Sequence, residues 1–583
     1  MDYAITTMKL TLVERQEVRL RCIPDLGIAY LLGQCKDNGI KASLVQGSPR
    51  TLDCLLDESV FDILCRGYED VVKERGESWF KDFLKFNHDI ATSSNIWDKT
   101  NPDAMKELWD LTGFMKERVW PEWLADFLHQ EIVNTKPDAV GFSIWDFYSH
   151  PGVSAAVRDV IERLKLESDV RVLVGGPGTV TKTARRDIFR TFKPDFIVHH
   201  EGERALFEAL GMIESGKVRG LPNVSFSGYD GETKPIEDLD SLALPDFSQY
   251  DLDRFFLPVR VVPMMTSRGC PWARCAFCNH HATYKGYREH SAERVVETVE
   301  MYKKKYKTDM IMFHDETFTS GRARNIVDAL PEAFYYSYAY PKGFDRALLK
   351  RMHEKGFRVL VWGVESGCQE VLDSMRKGTD ISEVGRIVRD ARAVGITNVA
   401  FILFGFPGET KEQAEETVNF LQRNADYIER HATTVFRLEE GSPIWEEPSK
   451  WGVKKLKGGD YRVESGMQRE DVHEFLAGLN GRDIKTSANT KYYMPGNSEF
   501  RPYFFMQVAY GEGKGEYPVK NGLLVGDEVR PSMLMEGVSR PVLKLDKGQR
   551  GVYEKCDGRH KVDARGFRGY PYVVYYERPF GAQ

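Results

Sequence analysis

A chain of 583 residues is long enough for roughly three or four domains, since single cores rarely grow past about 250–300 residues. Hydrophobic content of 42% and charged content of 29% are those of a soluble globular protein, and a net charge of −6 argues against a surface built to hold nucleic acid. No run of 18 apolar residues predicts a membrane span, and the N-terminus "MDYAITTMKLTLVE" lacks the basic and apolar regions of a secretory signal.

The chain opens as alternating strands and helices. "MKLTLVE" (8–14) is a strand candidate; "DLGIAYLLGQCKDNG" (25–39) has helical spacing and stops at Asn38-Gly39; "IKASLVQ" (40–46) is a second strand. Residues 51–135 carry helical periodicity and five tryptophans (Trp79, Trp97, Trp109, Trp120, Trp123), which reads as an inserted helical subdomain. Alternation resumes with "DAVGFSIWD" (138–146), a helix near 152–166, "VRVLVGG" (170–176), a helix near 180–190, and "DFIVHHEGE" (195–203). Strands separated by helices imply a parallel, doubly wound sheet. Residues 217–255, rich in Gly, Pro and Asp, read as a linker.

A second series follows: strands at 261–269, 308–316, 333–340, 358–366 and 397–409, helices near 291–305, 321–330, 344–355 and 381–394, and a further helix at 410–424. Repeated right-handed β/α units of this kind curl into a full or partial barrel. The last 140 residues, rich in Gly, Tyr, Arg and Lys with short strand-like runs, read as a small α+β domain over 441–583.

The chemistry concentrates in "TSRGCPWARCAFCNHHATY" (266–284), where Cys270, Cys275 and Cys278 fall within nine residues and His280 and His281 follow. A structural zinc held by Cys3His, with either histidine, is one reading. Zinc sites usually take two ligand pairs from separated turns, however, and no second pair lies nearby. The other reading is a [4Fe-4S] cluster on three thiolates, which leaves one iron free to bind a small molecule. Position favours the cluster, because the loop follows the first strand of the β/α series, where such folds place ligands and chemistry. Cys22, Cys35, Cys54, Cys65, Cys368 and Cys556 are scattered and read as buried small apolar residues, although Cys556 could serve as a fourth ligand or radical quencher. Nine cysteines without a disulfide framework suit a reducing compartment, by default the cytoplasm.

The three cysteines, with aromatic Phe277 before the last, resemble the signature of the radical S-adenosylmethionine (radical SAM) family. In that family the open iron chelates the amine and carboxylate of S-adenosylmethionine, and an electron from the cluster cleaves the sulfonium to give a 5′-deoxyadenosyl radical. The usual gap between the first two cysteines is three residues; here four intervene, Pro271 to Arg274, so the loop is expected to bulge. The resemblance extends over about residues 260–425. "FHDETFT" (313–319) places His314, Asp315 and Glu316 where the family contacts the SAM amino group. "WGVESG" (362–367) places Glu365 and Ser366 at its ribose or carboxylate. "MRKGT" (375–379) follows at the family's distance, and "GFPGET" (405–410) offers Gly405 and Pro407 to the nucleoside. The ordinary reading of each is a helix cap, a surface pair or a turn.

The first β/α series resembles the cobalamin-binding domain found in many radical SAM enzymes. On that resemblance Pro24, Leu26, Gly27, Ser143, Trp145, Gly175, Gly176, Pro177, Glu201, Gly202 and Glu203 would line the cobalamin, with Ser143 on the buried dimethylbenzimidazole and the glycines admitting the nucleotide tail. A generic nucleotide-binding sheet is the bland reading, and Glu203 in the first turn of the next helix is as readily a cap. The loop "ERQEVRLRCIPDLG" (14–27) contains no histidine, and His150 follows the wrong strand. Cobalamin is therefore expected base-off, with Arg15, Arg19 or Arg21 at its lower face.

These resemblances imply a class B cobalamin-dependent radical SAM methyltransferase. Its architecture would be an N-terminal Rossmann-like domain (1–216), a partial (β/α)6 TIM-like barrel (256–440) and the C-terminal domain. It would methylate an unactivated carbon of a peptide or small-molecule substrate and draw electrons from a donor such as flavodoxin or ferredoxin. The alternatives are a cobalamin-dependent rearrangement or cyclisation, and a non-catalytic cobalamin or nucleotide sensor with a structural metal loop. The tryptophan-rich insertion and the C-terminal aromatics Tyr492, Tyr493, Tyr503, Phe504 and Phe505 would shape the pocket or fill a core.

Overall fold

The computed structural model describes residues 8–14, 24–46, 120–145, 151–252, 260–308, 310–456 and 460–479, and near the C-terminus 512–520, 522–525, 528–531, 543–545, 547–556 and 573–576. The chain divides into two compact units, Met1–Phe256 with Asn521–Lys547, and Leu257–Lys520 with Gly548–Gln583. The expected domain over 441–583 is thus shared between the two units. Its described strands form small antiparallel sheets.

In the first unit, β1 (Lys9–Val13), β2 (Lys41–Val45), β3 (Ala139–Ser143), β4 (Arg171–Gly175) and β5 (Phe196–Val198) pair in parallel, in the order β2-β1-β3-β4-β5. The apolar runs of β1, β3, β4 and β5 are buried on both faces, as parallel strands covered by helices must be, while the edge strand β2 is half-buried. The helices are α1 (Leu26–Asp37), α2 (Trp120–Thr135), α3 (Pro151–Glu167), α4 (Lys182–Phe192) and α5 (Gly202–Ser215). α1 begins where the Asp25 carboxylate accepts the Ile28 N–H at 3.0 Å, and α4 where the Thr181 hydroxyl accepts the Ala184 N–H at 3.1 Å. Leu124, Leu128 and Ile132 of α2 and Val157, Val160, Ile161 and Leu164 of α3 pack on Val140, Phe142, Val172 and Val174.

The stretch 217–255, read from composition as a linker, contributes two strands to this sheet within its described residues 217–252. β6 (Val224–Phe226) and β7 (Tyr229–Asp230) add to it antiparallel beyond β5, and the Asp246 N–H donates to Ala29 O at 2.8 Å. The Gly, Pro and Asp content marks the turns between short strands and not a free tether.

In the second unit six parallel strands lie in chain order: β8 (Val261–Met264), β11 (Met310–Phe318), β12 (Phe334–Ala339), β13 (Phe357–Glu365), β14 (Thr397–Phe404) and β15 (Arg430–Val435). A short hairpin, β9 (Ser267–Arg268) with β10 (Arg288–Glu289), follows β8. Helices α6 (His280–Thr283), α7 (Ala292–Met301), α8 (Ser320–Ile326), α9 (Arg346–Glu354), α10 (Gln369–Ser374), α11 (Ile381–Ala393) and α12 (Lys411–Arg423) fall between strands, and α13 (Pro443–Glu446) and α14 (Arg469–Leu479) follow. The sixth strand, "RHATTV", was not legible because four of its six residues are polar. Sequential parallel order is the order of a TIM-like β/α barrel, and it puts every strand-to-helix loop at one end.

Candidate functional site

The cysteine loop leaves the sheet at β8 and is closed at its base by the β9–β10 hairpin, so its two ends are held side by side. Gly269 makes that closure possible: its φ is +79°, and a Cβ there would stand 2.2 Å from Gly286 O. Ala276, fully buried in the middle, is pinned from both sides. Its N–H donates to Met375 O at 2.8 Å, and its carbonyl accepts the Ile444 N–H at 3.0 Å. The extra residue in the Cys270–Cys275 gap is absorbed by Ala273, exposed and left-handed at φ +43°.

The three thiols are free and partly exposed. Burial pushes the Cys275 thiol up to about 11, against the opposing charge of Lys377, and the Cys278 thiol up to about 12. Ligation by these groups must therefore release protons. The Cys278 Sγ accepts the His280 N–H at 3.4 Å, the kind of contact that orients and tunes a thiolate ligand. Among the described residues no three His, Cys, Asp or Glu side chains gather closely enough to hold one metal ion. The fit of an iron–sulfur cluster rests on donor chemistry: three soft thiols on one anchored loop, with a buried cation beside them.

That cation is Lys377. Its Nζ donates to Glu365 Oε1 at 2.8 Å, with side-chain exposures of 9% and 13%, and it lies over the rings of Phe277 and Tyr340. Burial alone would depress the ammonium, but the Glu365 carboxylate, with the cysteine charge nearby, more than offsets this and holds it above its ordinary value. Two features of "WGVESG" build the pair. A Cβ at Gly363 would come within 2.9 Å of both Glu365 Oε1 and Lys377 Nζ, so the glycine leaves their space. Glu365 itself is left-handed at φ +65°, where the β13–β14 register shifts. In "MRKGT" Lys377 stands beside Arg376, and nothing local shows that the lysine turns inward while the arginine stays exposed.

β11 separates the three residues of "HDE" by strand alternation. His314 and Glu316 share one face, where His314 meets the Tyr338 ring edge-on at 6.1 Å and Glu316 contacts the His280 imidazole. Tyr338 in turn stacks on Phe401 of β14 at 5.9 Å. Asp315 points the other way, toward the exit of β8. It accepts the Thr266 N–H and hydroxyl at 2.6 Å each and the Ser267 N–H at 3.0 Å. Burial pushes it up to about 6 despite those bonds. Buried Arg322, whose Nη2 donates to Thr266 O at 2.8 Å, completes a clamp on the exit of β8.

Two further positions have close partners of their own. Ser366 is fully buried, its hydroxyl 3.0 Å from that of Thr417 and accepting the Cys368 N–H at 3.1 Å, so it ties β13 to α12. Gly405 is left-handed at φ +77°, but the space beside it is filled by Val472 of α14, which a Cβ would approach to 2.7 Å. The turn is held by Glu409, whose carboxylate accepts the Gly405 N–H at 2.5 Å and which burial pushes up to about 7. Pro407 is buried in that turn.

In the first unit the order β2-β1-β3-β4-β5 reverses between β1 and β3, and ligands of such sheets bind outside the carboxyl ends at that switch point. Ser143 ends β3, partly exposed, and Trp145 beyond it is half-exposed. Gly175 and Gly176 are half-buried and closely approached by neighbouring backbone. Val198 O lies 3.1 Å from a Cβ at Gly175, and Ile144 O lies 2.6 Å from one at Gly176, whose φ is +94°; the glycines pack the β3, β4 and β5 ends together. Pro177 beside them is exposed. Glu201 is buried and its carboxylate accepts the Ile236 N–H at 3.0 Å; Glu203 is buried in the first turn of α5. Gly202 is half-buried, and at the start of α1 Pro24 is buried, Leu26 half-buried and Gly27 exposed. Arg15, Arg19, Arg21 and His150, most of the tryptophan-rich insertion, and Tyr492, Tyr493, Tyr503, Phe504 and Phe505 lie outside the described residues, as do Cys22, Cys54 and Cys65. Cys35, Cys368 and Cys556 are buried.

Comparison with known proteins bears on both units. An uncharacterized methyltransferase, PH0819, of Pyrococcus horikoshii is 27% identical over 331 residues, covering 53% of this chain and 69% of that protein. The anaerobic magnesium-protoporphyrin IX monomethyl ester cyclase of Rubrivivax gelatinosus is 25% identical, covering 50% of this chain and 55% of its own. Among solved structures, the cobalamin-dependent S-adenosylmethionine radical enzyme OxsB, with aqua-cobalamin and S-adenosylmethionine bound, superposes with a TM-score of 0.58 at 14% identity, covering 81% of this chain and 66% of that one. The radical SAM methyltransferase TsrM from Kitasatospora setae, with cobalamin and a [4Fe-4S] cluster bound, gives 0.52 at 16% identity, covering 79% and 83%. At those identities the likeness is one of fold. Residues 264–421 match the Radical SAM superfamily. Because that match takes in the cysteine loop together with the strands β11 to β14 behind it, this part of the chain is a radical SAM domain.

Proposed function

We propose that the protein is a cobalamin-dependent radical SAM methyltransferase that acts on an unactivated carbon of a peptide or small-molecule substrate. One observation carries the reading. A sheet with a switch point between β1 and β3, edged by Ser143 and Trp145, precedes a three-thiol loop at the carboxyl end of β8 in one chain. Both OxsB and TsrM are described with bound cobalamin, which supports the same assignment.

Cys270, Cys275 and Cys278 would hold a [4Fe-4S] cluster with one open iron. When bound, cluster and cobalamin would supply the electron that cleaves S-adenosylmethionine and the methyl group to be transferred. The chain's own work is positioning. Lys377, held in place by Glu365, would set one buried cation beside the Cys275 thiolate. Phe277 covers the loop beside it, and His314 and Glu316 face the same interior from β11. On the first unit Ser143 and Trp145, at the end of β3, would meet the planar ligand. Cobalamin would be base-off, since the 14–27 loop holds no histidine, with Arg15 or Arg21 at the lower face. The protein would work in the cytoplasm.

Anaerobic reconstitution with iron, sulfide and hydroxocobalamin, then incubation with S-adenosylmethionine and a reductant, tests this. About four irons, a corrinoid spectrum, and formation of both 5′-deoxyadenosine and S-adenosylhomocysteine are expected; zinc in place of iron would overturn it. The match to the magnesium-protoporphyrin ester cyclase favours a second reading, a cobalamin-dependent ring closure. Deoxyadenosine without S-adenosylhomocysteine would select it, and neither product would select a sensor.

A further inference from the structure

We propose that the surface formed by Trp272, Arg274, Lys342, Arg376 and Trp451, lying over the cysteine loop, is the docking site of an acidic one-electron carrier protein of the flavodoxin class. The inference rests on the radical SAM reading only in requiring a reducible cluster beneath this surface.

The net charge of the chain is −6, yet this face is cationic. Arg274 and Lys342 flank the Trp272 ring at 5.3 and 5.4 Å, Arg376 lies over Trp451 at 4.7 Å, and Lys455 over the neighbouring Trp445 at 3.9 Å. Among the described residues none of these four cations is in an ion pair. Of the acids close by in sequence, Glu447 pairs with Lys450, Asp373 accepts from Gln369, Asp380 caps α11, and Glu383 accepts the Gly343 N–H and pairs with Arg386. Cations held by aromatic rings instead of carboxylates keep their charge available to a partner while their side chains stay ordered. Arginine and tryptophan are also the side chains that most often anchor protein–protein contacts.

The face is built as one piece. Trp272 Nε1 donates to Arg376 O at 2.8 Å, Trp451 Nε1 to Ser374 O at 3.1 Å, and Lys342 Nζ to Gly378 O at 2.8 Å, so both indoles and the lysine grip the same 374–378 turn. Trp272 lies against Gly378, where a Cβ would stand 2.1 Å from the ring. That turn is the one that reaches inward: Met375 O anchors Ala276 between the thiols, and Lys377 sits against Cys275. Trp272 and Arg274 are themselves inside the Cys270–Cys275 gap. A carrier seated here is separated from the thiolates by little more than one turn of backbone. One electron would pass from the carrier, which is oxidised by one, to the cluster, which is reduced by one, with no bond made or broken.

The test uses the full chain, reconstituted anaerobically, with cluster reduction followed by stopped-flow absorbance. Two reductants are compared: fully reduced flavodoxin, and dithionite. Arg274→Glu/Arg376→Glu is expected to slow reduction by flavodoxin at least tenfold at low ionic strength, to remove the salt dependence of the wild-type rate, and to leave iron content and the dithionite rate unchanged. Arg274→Gln/Arg376→Gln should give an intermediate loss, and Lys303→Glu/Lys304→Glu, on exposed lysines elsewhere in the unit, none. A wild-type flavodoxin rate in the double variant, or an equal loss with the Lys303 and Lys304 control, overturns the docking site. A parallel loss with dithionite also overturns it, by assigning the arginines to holding the cluster. A wild-type chain that forms no reducible cluster would sink the radical SAM reading and this one with it.

Discussion

The buried Lys377–Glu365 pair is the most exposed to test of the site's features. Replacing Lys377 with Met keeps the length of the side chain and removes its charge, leaving the Glu365 carboxylate buried 13% exposed with no cation at 2.8 Å. Breaking a buried pair by deleting one partner costs about 3–5 kcal/mol, far above the 0–1 kcal/mol of a surface pair. For a unit of this size that corresponds to a fall in Tm of roughly 6–20 °C. The sharper expectation concerns the double variant. If the cost is an uncompensated charge, Lys377→Met/Glu365→Gln should recover most of the loss, because both ions are then gone. Anaerobic differential scanning calorimetry of the reconstituted protein, with iron content measured alongside, reads both. A double variant no more stable than the single one would show that lost packing against Phe277 and Tyr340, not charge, sets the cost. The reasoning about a buried ion pair would then fail.

Replacing Cys270, Cys275 or Cys278 by Ala singly should drop iron content and abolish 5′-deoxyadenosine while leaving corrinoid binding at the first unit unchanged; full turnover in Cys275→Ala would contradict the cluster assignment. Gly378→Ala places a Cβ 2.1 Å from the Trp272 ring at φ +72°, and should lower stability by more than about 2 kcal/mol, visible as a lower Tm and altered tryptophan fluorescence. Glu409, raised by burial to about 7 from an unfolded value near 4.5, takes up a proton in the folded state first, so its contribution to stability grows as pH falls through 7 and is lost as pH rises through it. Glu409→Gln should therefore be more stable than wild type at pH 8.5 in urea unfolding, by about 3 kcal/mol at most, and the gap should narrow by pH 6.

The β/α alternation was legible because buried parallel strands such as "RVLVWGVE" are continuous apolar runs, bounded by helices with a 3.6-residue period and caps such as Thr410 with Gln413. What failed was short or polar: β6 and β7, of three and two residues, and β15. Within the site, the cysteine spacing told which chemistry to expect, but not which neighbours face it. Whether His314 and Glu316 or Asp315 turns inward depends on the parity of β11 relative to the sheet, which no local pattern fixes when all three are polar. Gly405 and Ser366 illustrate the same limit at longer range, since Val472 and Thr417, which occupy their surroundings, lie 67 and 51 residues further on.

The lengthened gap between Cys270 and Cys275 ties these threads together. A loop pinned at Ala276 by Met375 and Ile444 cannot take up an added residue toward the thiols without breaking two hydrogen bonds of about 3 Å. It can do so outward, and Ala273 does, at the cost of one left-handed residue, roughly 1–2 kcal/mol. Ala273→Gly should return part of that cost as stability while keeping the cysteines where they are. Deleting Ala273 should instead restore the common spacing and displace Trp272 and Arg274 from the 374–378 turn. If the deletion left flavodoxin-driven reduction as fast as before, the outward bulge would have no part in receiving electrons. A selective slowing, with dithionite unaffected, would mean that the added residue lengthens the loop to shape its outer face rather than to change the metal it holds.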